Sequence, residues 1–110
     1  MAEKKFSLIK LNGITGGDKQ QMNELRDLFL SVNKQNLADL NLAYKNGQLV
    51  KVKELAHKMK TSMDLWDISE LKQDIRKIER YAHEGSNPNL LEQLIQKLNE
   101  VLTTIFAEMK

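Results

Sequence analysis

Asp64-Leu65-Trp66-Asp67-Ile68-Ser69-Glu70 is the stretch that decides the fold, because the helical pattern around it has no other interruption. No glycine or proline occurs from 48 to 84, and a helix of that length would extend about 55 Å. A compact chain of 110 residues has a radius of gyration of roughly 13 Å, so a hidden turn is needed. The apolar stripe changes phase within 64–70, where Asp67 and Glu70 resemble a capping box. The sequence therefore predicts a turn here between two helices.

Helix breakers divide the rest of the chain at three places. The five glycines and the single proline are Gly13, Gly16 and Gly17, then Gly47, then Gly85 and Pro88. Asp18 is predicted to cap the helix that follows it, and Asn46-Gly47 supplies a left-handed stop. Together these signals predict helices over 19–46, 48–64, 68–84 and 89–109, after an N-terminal arm over 1–17.

Short connections between these helices favour antiparallel neighbours. We therefore predict an all-α fold, an antiparallel up-down four-helix bundle over 18–110 with a short N-terminal arm or helix before it. Apolar residues at spacings of three and four should face the core. In the first long helix these are Met22, Leu25, Leu28, Phe29, Val32, Leu37, Leu40 and Tyr44. In the last helix they are Leu90, Leu91, Leu94, Ile95, Leu98, Val101, Leu102, Ile105 and Phe106.

The composition excludes several classes of function. The chain has 17 Lys and Arg against 15 Asp and Glu, a balance that argues against a nucleic-acid binder. It has no cysteine, which excludes disulfides, thiolate catalysis and cysteine zinc sites. No apolar run approaches the ~20 residues that span a bilayer, and the first residues lack the apolar stretch of a signal peptide. We expect a cytoplasmic protein that binds neither nucleic acid nor membrane.

His57 is one of only two histidines and the one best placed for chemistry. On a helical wheel it lies roughly 140° from Val52, a residue of the apolar stripe, so it should be exposed. Lys60 lies one turn further along the same face. An ordinary surface histidine would show the same pattern. An exposed imidazole beside an ammonium also suits the transfer of an anionic group, because neutral histidine is a nucleophile and lysine can stabilise phosphoryl oxygens.

Three other patterns suggest different chemistry, and each is weaker. Glu54-x-x-His57 matches half of a bundle di-iron site, but such sites need the motif twice, and Arg80 rather than a glutamate precedes His83. Gly16-Gly17 before a helix could cradle a phosphate, yet no strand precedes it and no Gly-Lys-Ser/Thr follows. A group of lysines in the second helix favours a solvated face or a docking surface for an acidic protein over DNA contact. These are Lys51, Lys53, Lys58 and Lys60.

The segment 55–62, Leu-Ala-His-Lys-Met-Lys-Thr-Ser, resembles the phosphoryl-accepting helix of the histidine-containing phosphotransfer (HPt) family. That family carries the pattern Ala-His-x-apolar-Lys-Gly/small-Ser in the second helix of a four-helix bundle. The resemblance covers most of the chain without an internal gap. The stretch 16–30 resembles the opening helix of the family, 43–47 the linker before the histidine helix, and 68–79 the third helix.

The resemblance implies a phosphorelay intermediate in two-component signalling. His57 would accept a phosphoryl group from the aspartate of one receiver domain and pass it to the aspartate of another. Lys60 matches the family lysine that offsets the charge of the phosphoryl oxygens. Glu79 falls where family members often place a side chain that accepts from the other ring N–H, although a surface salt bridge would explain it equally. The residues that would dock receivers are Val50, Lys53, Glu54, Lys58, Thr61 and Asp64.

The same resemblance implies a phosphoryl carrier rather than an enzyme, because the receiver would supply the metal and the acidic residues. We therefore expect a monomer with no cofactor and no metal site of its own. Its partners would be receiver domains of response regulators and of hybrid sensor histidine kinases. The alternative is an unphosphorylated adaptor or inhibitor bundle that binds a receiver or kinase domain. A free-standing relay protein and an excised domain of a hybrid kinase are both open.

Two positions depart from the family pattern. Thr61 stands where the family usually has glycine beside the lysine, and its β-branched side chain lies one turn from His57. This difference bears on partner choice and transfer rate. Asp67 replaces the usual glycine of the interhelix turn, and aspartate tolerates turn conformations, so the fold should be kept.

Overall fold

The computed structural model describes residues 6–109, and within this range the chain forms helices and no strands, which confirms the all-α class. The elements are α1 (Ile9–Thr15), α2 (Lys19–Lys45), α3 (Leu49–Leu65), α4 (Ser69–Glu84) and α5 (Pro88–Glu108). The four long helices agree with the predicted ranges to within one residue at either end. Residues 1–5, part of the predicted N-terminal arm, and residue 110 lie outside the described residues. Across the described range, no helix combines the length and apolar character that crossing a bilayer requires.

The ends of α2 and α4 are set by residues that the sequence singles out. The Asp18 carboxylate accepts a hydrogen bond from the backbone N–H of Gln21 at 2.9 Å, so Asp18 caps α2 as predicted. Gly47 follows α2 with a φ of 70°, and Gly85 ends α4 with a φ of 65°. Glycine suits both positions because a side chain disfavours this left-handed backbone.

The turn between α3 and α4 lies where it is predicted but is built differently. Ile68, not Asp67, is the N-cap residue of α4, and its side chain makes no capping hydrogen bond. The predicted capping box of Asp67 and Glu70 is therefore wrong. Asp67 precedes the cap with a φ of 50°, and its carboxylate accepts a hydrogen bond from the Lys72 ammonium instead. A short polar side chain tolerates this conformation.

The helix packing is centred on α3. This helix contacts α2 on one side and α4 on the other, α4 also packs against α5, and α5 returns to contact α2. A continuous apolar core joins these helices. Its largest fully buried side chains are Leu11, Leu40, Met59, Met63, Ile68, Leu71, Ile75, Ile78, Leu98, Leu102, Ile105 and Val52.

The face of α2 that is buried differs in part from the predicted one. Leu28 and Val32 are 58% and 42% exposed, whereas Asn33 is fully buried. The Asn33 amide donates to the backbone oxygen of Phe29 at 3.0 Å and to the Ser62 hydroxyl at 3.2 Å, which lets a polar residue occupy the core face. Leu28 and Val32 each precede a core-facing residue by one position and are turned away by about 100°. Leu90, in the first turn of α5, is also exposed rather than buried.

The N-terminal segment is fastened to the α3–α4 turn. The Phe6 ring meets Trp66 edge to face at 5.9 Å between centroids, and the backbone N–H of Ser7 donates to the Trp66 carbonyl at 2.9 Å. The Lys10 ammonium donates to the backbone oxygen of Asp64 at 3.1 Å. Leu11 is fully buried. The arm predicted before α2 therefore contains a helix that packs on the rest of the chain.

A reciprocal pair of amides joins α2 to α5. Asn41 donates to the side-chain oxygen of Asn99 at 2.7 Å, and Asn99 donates back to Asn41 at 2.9 Å. Asn99 also donates to the backbone oxygen of Ile95 at 2.8 Å. The pair satisfies two partly buried side chains at once and fixes where the two helices meet.

Candidate functional site

His57 lies near the middle of α3 with its side chain outside the core. Ala56 and Met59 on either side of it are fully buried, so the helix turns position 57 toward solvent. The imidazole is 65% exposed. The imidazole is therefore accessible from solvent, whereas the backbone at His57 is held in place by the buried residues on either side.

One carboxylate from α4 joins His57 to Lys60. The Glu79 Oε2 atom lies 2.6 Å from His57 Nδ1, and Glu79 Oε1 accepts from the Lys60 ammonium at 3.0 Å. Glu79 follows the buried Ile78, so it sits at the edge of the core and reaches across to α3. The packing of α3 against α4 thus brings together His57, Lys60 and Glu79, the three residues to which the resemblance assigns roles in phosphoryl transfer.

The electrostatics of Glu79 determine which nitrogen of His57 is available. Burial alone would raise the pKa of Glu79, but hydrogen bonds from Lys60 and His57 outweigh burial and hold this pKa below its ordinary value. At neutral pH the carboxylate is therefore ionised and can only accept hydrogen bonds. It follows that Nδ1 of His57 carries the proton, and the neutral ring presents the Nε2 lone pair to solvent.

An open groove of about 660 Å³ lies between α3 and α4 beside His57. Its walls carry long charged side chains of both helices, whose aliphatic stems can offer apolar surface to a bound molecule. The lining residues are Lys53, Glu54, His57, Lys58, Arg76, Glu79, Arg80 and His83. The groove is large enough for a segment of a partner protein or for a small anionic molecule.

The six predicted docking residues do not all lie in this groove. Lys53, Glu54 and Lys58 line it. Val50 and Thr61 are exposed on α3 outside the lining set. Asp64, in the last turn of α3, accepts hydrogen bonds from Arg76. These six positions are Val50, Lys53, Glu54, Lys58, Thr61 and Asp64, and their docking role stays a prediction.

The α4 wall of the groove was not foreseen from the sequence. Arg76, Arg80 and His83 line it together with Glu79. Their spacing places all four on one face of a helix, because residues three, four and seven apart lie above one another. A helical wheel of α4 would have grouped these residues, but only the packing of α4 on α3 shows that they adjoin His57.

A second charge cluster lies at the α3–α4 turn and includes Arg76, which also lines the groove. Two Arg76 nitrogens donate to the two carboxylate oxygens of Asp64, at 3.1 Å and 2.7 Å. The hydrogen bond from Arg76 lowers the pKa of Asp64, and the bond from Lys72 lowers the pKa of Asp67. This cluster connects the turn to the site, because Arg76 precedes Glu79 by one helical turn.

Within residues 6–109 no group of three or more histidine, aspartate or glutamate side chains is arranged to hold a metal ion. The chemistry on offer is that of a nucleophilic imidazole with an adjacent carboxylate and an adjacent ammonium. Compared with models of known protein families, with curated protein sequences and with solved structures, the chain gives no match.

Proposed function

We propose that the chain is a histidine phosphotransfer domain, a phosphoryl carrier in which His57 is the acceptor. The observation that carries the proposal is the Glu79 carboxylate bound to His57 Nδ1 at 2.6 Å and to Lys60 at 3.0 Å. An incidental surface histidine has no need of a partly buried carboxylate that fixes its tautomer. The partners would be receiver domains that carry an aspartyl phosphate or a free aspartate.

The proposed transfer is a displacement at phosphorus. The Nε2 lone pair of His57 attacks the phosphorus of an aspartyl phosphate, and the bond from phosphorus to the carboxylate oxygen breaks. The aspartate leaves with that electron pair as a free carboxylate. The ring keeps its proton on Nδ1 and becomes cationic, and the Glu79 carboxylate balances that charge. The reverse sequence of bonds passes the phosphoryl group to a second aspartate.

Lys60 would stabilise the phosphoryl oxygens during the transfer. A lysine ammonium has three N–H donors, and the bond to Glu79 Oε1 uses one of them. The others are available to oxygens of a group held at Nε2. Glu79 therefore serves as an anchor for Lys60 as well as for the imidazole.

The bundle topology belongs to the same proposal. We infer that α2 to α5 form an antiparallel up-down four-helix bundle, with α1 packed against it. Short connections between consecutive helices, and the packing of α2, α3, α4 and α5 around one core, support this arrangement. In such a bundle α3 and α4 form one exposed hairpin, whose outer face would carry His57.

The direct test is phosphoryl uptake from a panel of purified, phosphorylated receiver domains. Acid-labile label should appear on the wild-type chain and be absent from His57→Gln, and mass spectrometry should place it at residue 57. Phosphoramidate, a small N–P phosphoryl donor, should label the same residue without any partner. Label at His83, or label that persists in His57→Gln, would contradict the assignment.

The adaptor alternative predicts a different result in the same experiment. An unphosphorylated bundle that only binds a receiver or kinase domain would form a complex and take up no label. His57→Gln would then bind as tightly as the wild type and inhibit the partner equally. Binding without uptake from either kind of donor would therefore replace the carrier proposal by the adaptor.

A further inference from the structure

The groove beside His57 has an excess of positive charge that the phosphoryl transfer itself does not use. Of the eight lining residues, four are Lys or Arg and two are Glu. Glu79 is bound by His57 and Lys60, and Arg76 is bound by Asp64. Three cationic side chains of the lining make no ion pair among the described residues, namely Lys53, Lys58 and Arg80. Glu54 is the one acidic side chain of the lining that is likewise without an ion pair there.

A protein partner must cover more surface than the imidazole. A stable interface buries roughly 800 Å² on each partner, so a domain that reaches Nε2 also covers a flank of α3. The flank toward α4 has a groove with volume to receive side chains and with four cationic residues in its lining. Arg80 also lines the groove. Its guanidinium lies 5.0 Å from the ring centre of Tyr81, a residue of the opposite groove, and donates to the Tyr81 hydroxyl at 3.2 Å, so it would have to turn from Tyr81 to contact a partner in the α3–α4 groove.

We propose that the α3–α4 groove binds an acidic surface segment of the receiver domain that exchanges the phosphoryl group, with Lys53, Lys58 and Arg80 as the residues that recognise it. This inference rests on the proposed function. Its basis is charge complementarity: among the described residues, three cations of the lining have no ion pair and only one carboxylate opposes them, so an acidic segment would complement the groove. The groove thus decides which side of His57 the partner covers.

Electrostatic recognition of this kind acts chiefly on the rate of association. Opposite charges steer the encounter and raise the association rate at low salt, and the gain disappears as salt screens the charges. Groove variants should therefore change the apparent second-order rate of transfer from a receiver. They should leave the labelling of His57 by phosphoramidate unchanged, because that small donor does not use the groove.

The decisive comparison is Arg80→Glu against Lys77→Glu. Both substitutions reverse one charge on α4, but Lys77 lines the opposite groove, toward α5. With the fastest receiver of the panel at low salt, Arg80→Glu should slow transfer about tenfold and Lys77→Glu less than twofold. The difference should shrink at high salt. Equal effects of the two variants would show that only net charge matters and would overturn the groove.

A second pair tests the α3 wall. Lys53→Glu should slow transfer, whereas Lys51→Glu, a reversal two residues away outside the groove lining, should not. Glu54→Gln should act in the opposite direction and speed transfer severalfold, because it removes the acidic group that opposes the partner. A slower Glu54→Gln variant would contradict the charge argument.

Phosphoramidate labelling separates failure of this inference from failure of the proposed function. If His57 is labelled and Arg80→Glu accepts phosphoryl groups from the receiver as fast as the wild type, only the groove is rejected. If neither phosphoramidate nor any receiver labels His57, the proposed function fails and the groove inference falls with it. Circular dichroism of each variant should match the wild type, since all these side chains lie on the surface.

Discussion

Glu79 is the residue on which the geometry of the site depends, because its carboxylate joins His57 to Lys60. The sequence alone brings His57 and Lys60 together, because residues three apart on a helix share a face. The partnership with Glu79 across to α4 was suggested only by resemblance, since the distance depends on how two helices pack. The 2.6 Å contact with His57 is a property of the folded chain. The same applies to Arg80 and His83, which no local pattern connects to His57.

Replacing Glu79 by glutamine should show how far the charge of the carboxylate, as distinct from the shape of the side chain, orients His57. Glu79→Gln keeps the shape but loses the carboxylate charge, so the preference for the proton on Nδ1 should weaken. We expect phosphoryl uptake from phosphoramidate to fall about tenfold. The tautomer ratio of His57, measured by ¹⁵N chemical shifts, should move toward a mixture. Glu100→Gln on the distant face of α5 should leave both quantities as they are.

Removing the side chain of Thr61 should help a partner reach His57. Thr61 is exposed one turn from His57, where its methyl and hydroxyl groups would crowd a receiver that approached the imidazole. Thr61→Ala and Thr61→Gly should both speed transfer from a receiver two- to fivefold, with phosphoramidate labelling unchanged. Alanine should raise helix stability by about 0.5 kcal/mol and glycine lower it by a similar amount. A gain in rate with glycine alone would point to backbone flexibility rather than steric access.

At the scale of elements, the four long helices could be predicted because glycine or proline marks three of their boundaries and a phase change of the apolar stripe marks the fourth. For the segment before α2 the sequence predicts a short arm or helix without bounds, since Gly13 interrupts a segment too short to show a period. The predicted capping box failed because Asp67 adopts a left-handed backbone and its carboxylate bonds Lys72, a contact five residues away. Local sequence rules therefore locate the turn but do not describe its construction.

Position 67 offers a test of that construction. Asp67→Ala and Asp67→Gly both remove the contact with Lys72, but only glycine adopts a φ of 50° without strain. The glycine variant should therefore be the more stable of the two, with a melting temperature several degrees above that of the alanine variant. Thermal unfolding followed by circular dichroism measures the difference. Equal melting temperatures would show that the backbone conformation of this turn carries no strain.

The carboxylates of the α3–α4 hairpin should make the protein sensitive to acid. The pKa values of Asp64 and Asp67 lie below their ordinary 3.8, and the pKa of Glu79 lies below its ordinary 4.5. A carboxyl group whose pKa is lowered by folding stabilises the fold fully above its unfolded pKa. That stabilisation is lost as the pH falls through the folded pKa. These three groups should therefore leave the urea concentration at the midpoint of unfolding constant above about pH 5. Below that pH the midpoint should fall.

Arg76→Gln should reduce this acid sensitivity. Without the guanidinium, the pKa of Asp64 returns toward its ordinary value, so folding no longer depends on the ionisation of that group. The fall in the urea midpoint below pH 4.5 should be shallower than in the wild type. Lys77→Gln, a loss of one charge on the same helix, should keep the wild-type slope.

At the scale of the whole molecule, the N-terminal helix is an integral part of the core. Leu11 is fully buried, whereas Ile14 in the same helix is 67% exposed. Leu11→Ala should lower the free energy of unfolding by about 2 to 3 kcal/mol, and Ile14→Ala by less than about 0.5 kcal/mol. Urea unfolding monitored by the fluorescence of the single tryptophan, Trp66, measures both. Similar small effects would mean that α1 is only loosely attached.

The paired amides of Asn41 and Asn99 limit which motions the molecule can make. Each amide is satisfied by the other only at one axial alignment of α2 and α5. Sliding α5 by one turn, about 5.4 Å, would break both bonds and leave two partly desolvated amides, at a cost of about 1–3 kcal/mol for each. Piston-like displacement of α5 is thereby suppressed. If His57 is phosphorylated as proposed, a change in shape that keeps both bonds would have to leave the alignment of α2 and α5 unchanged.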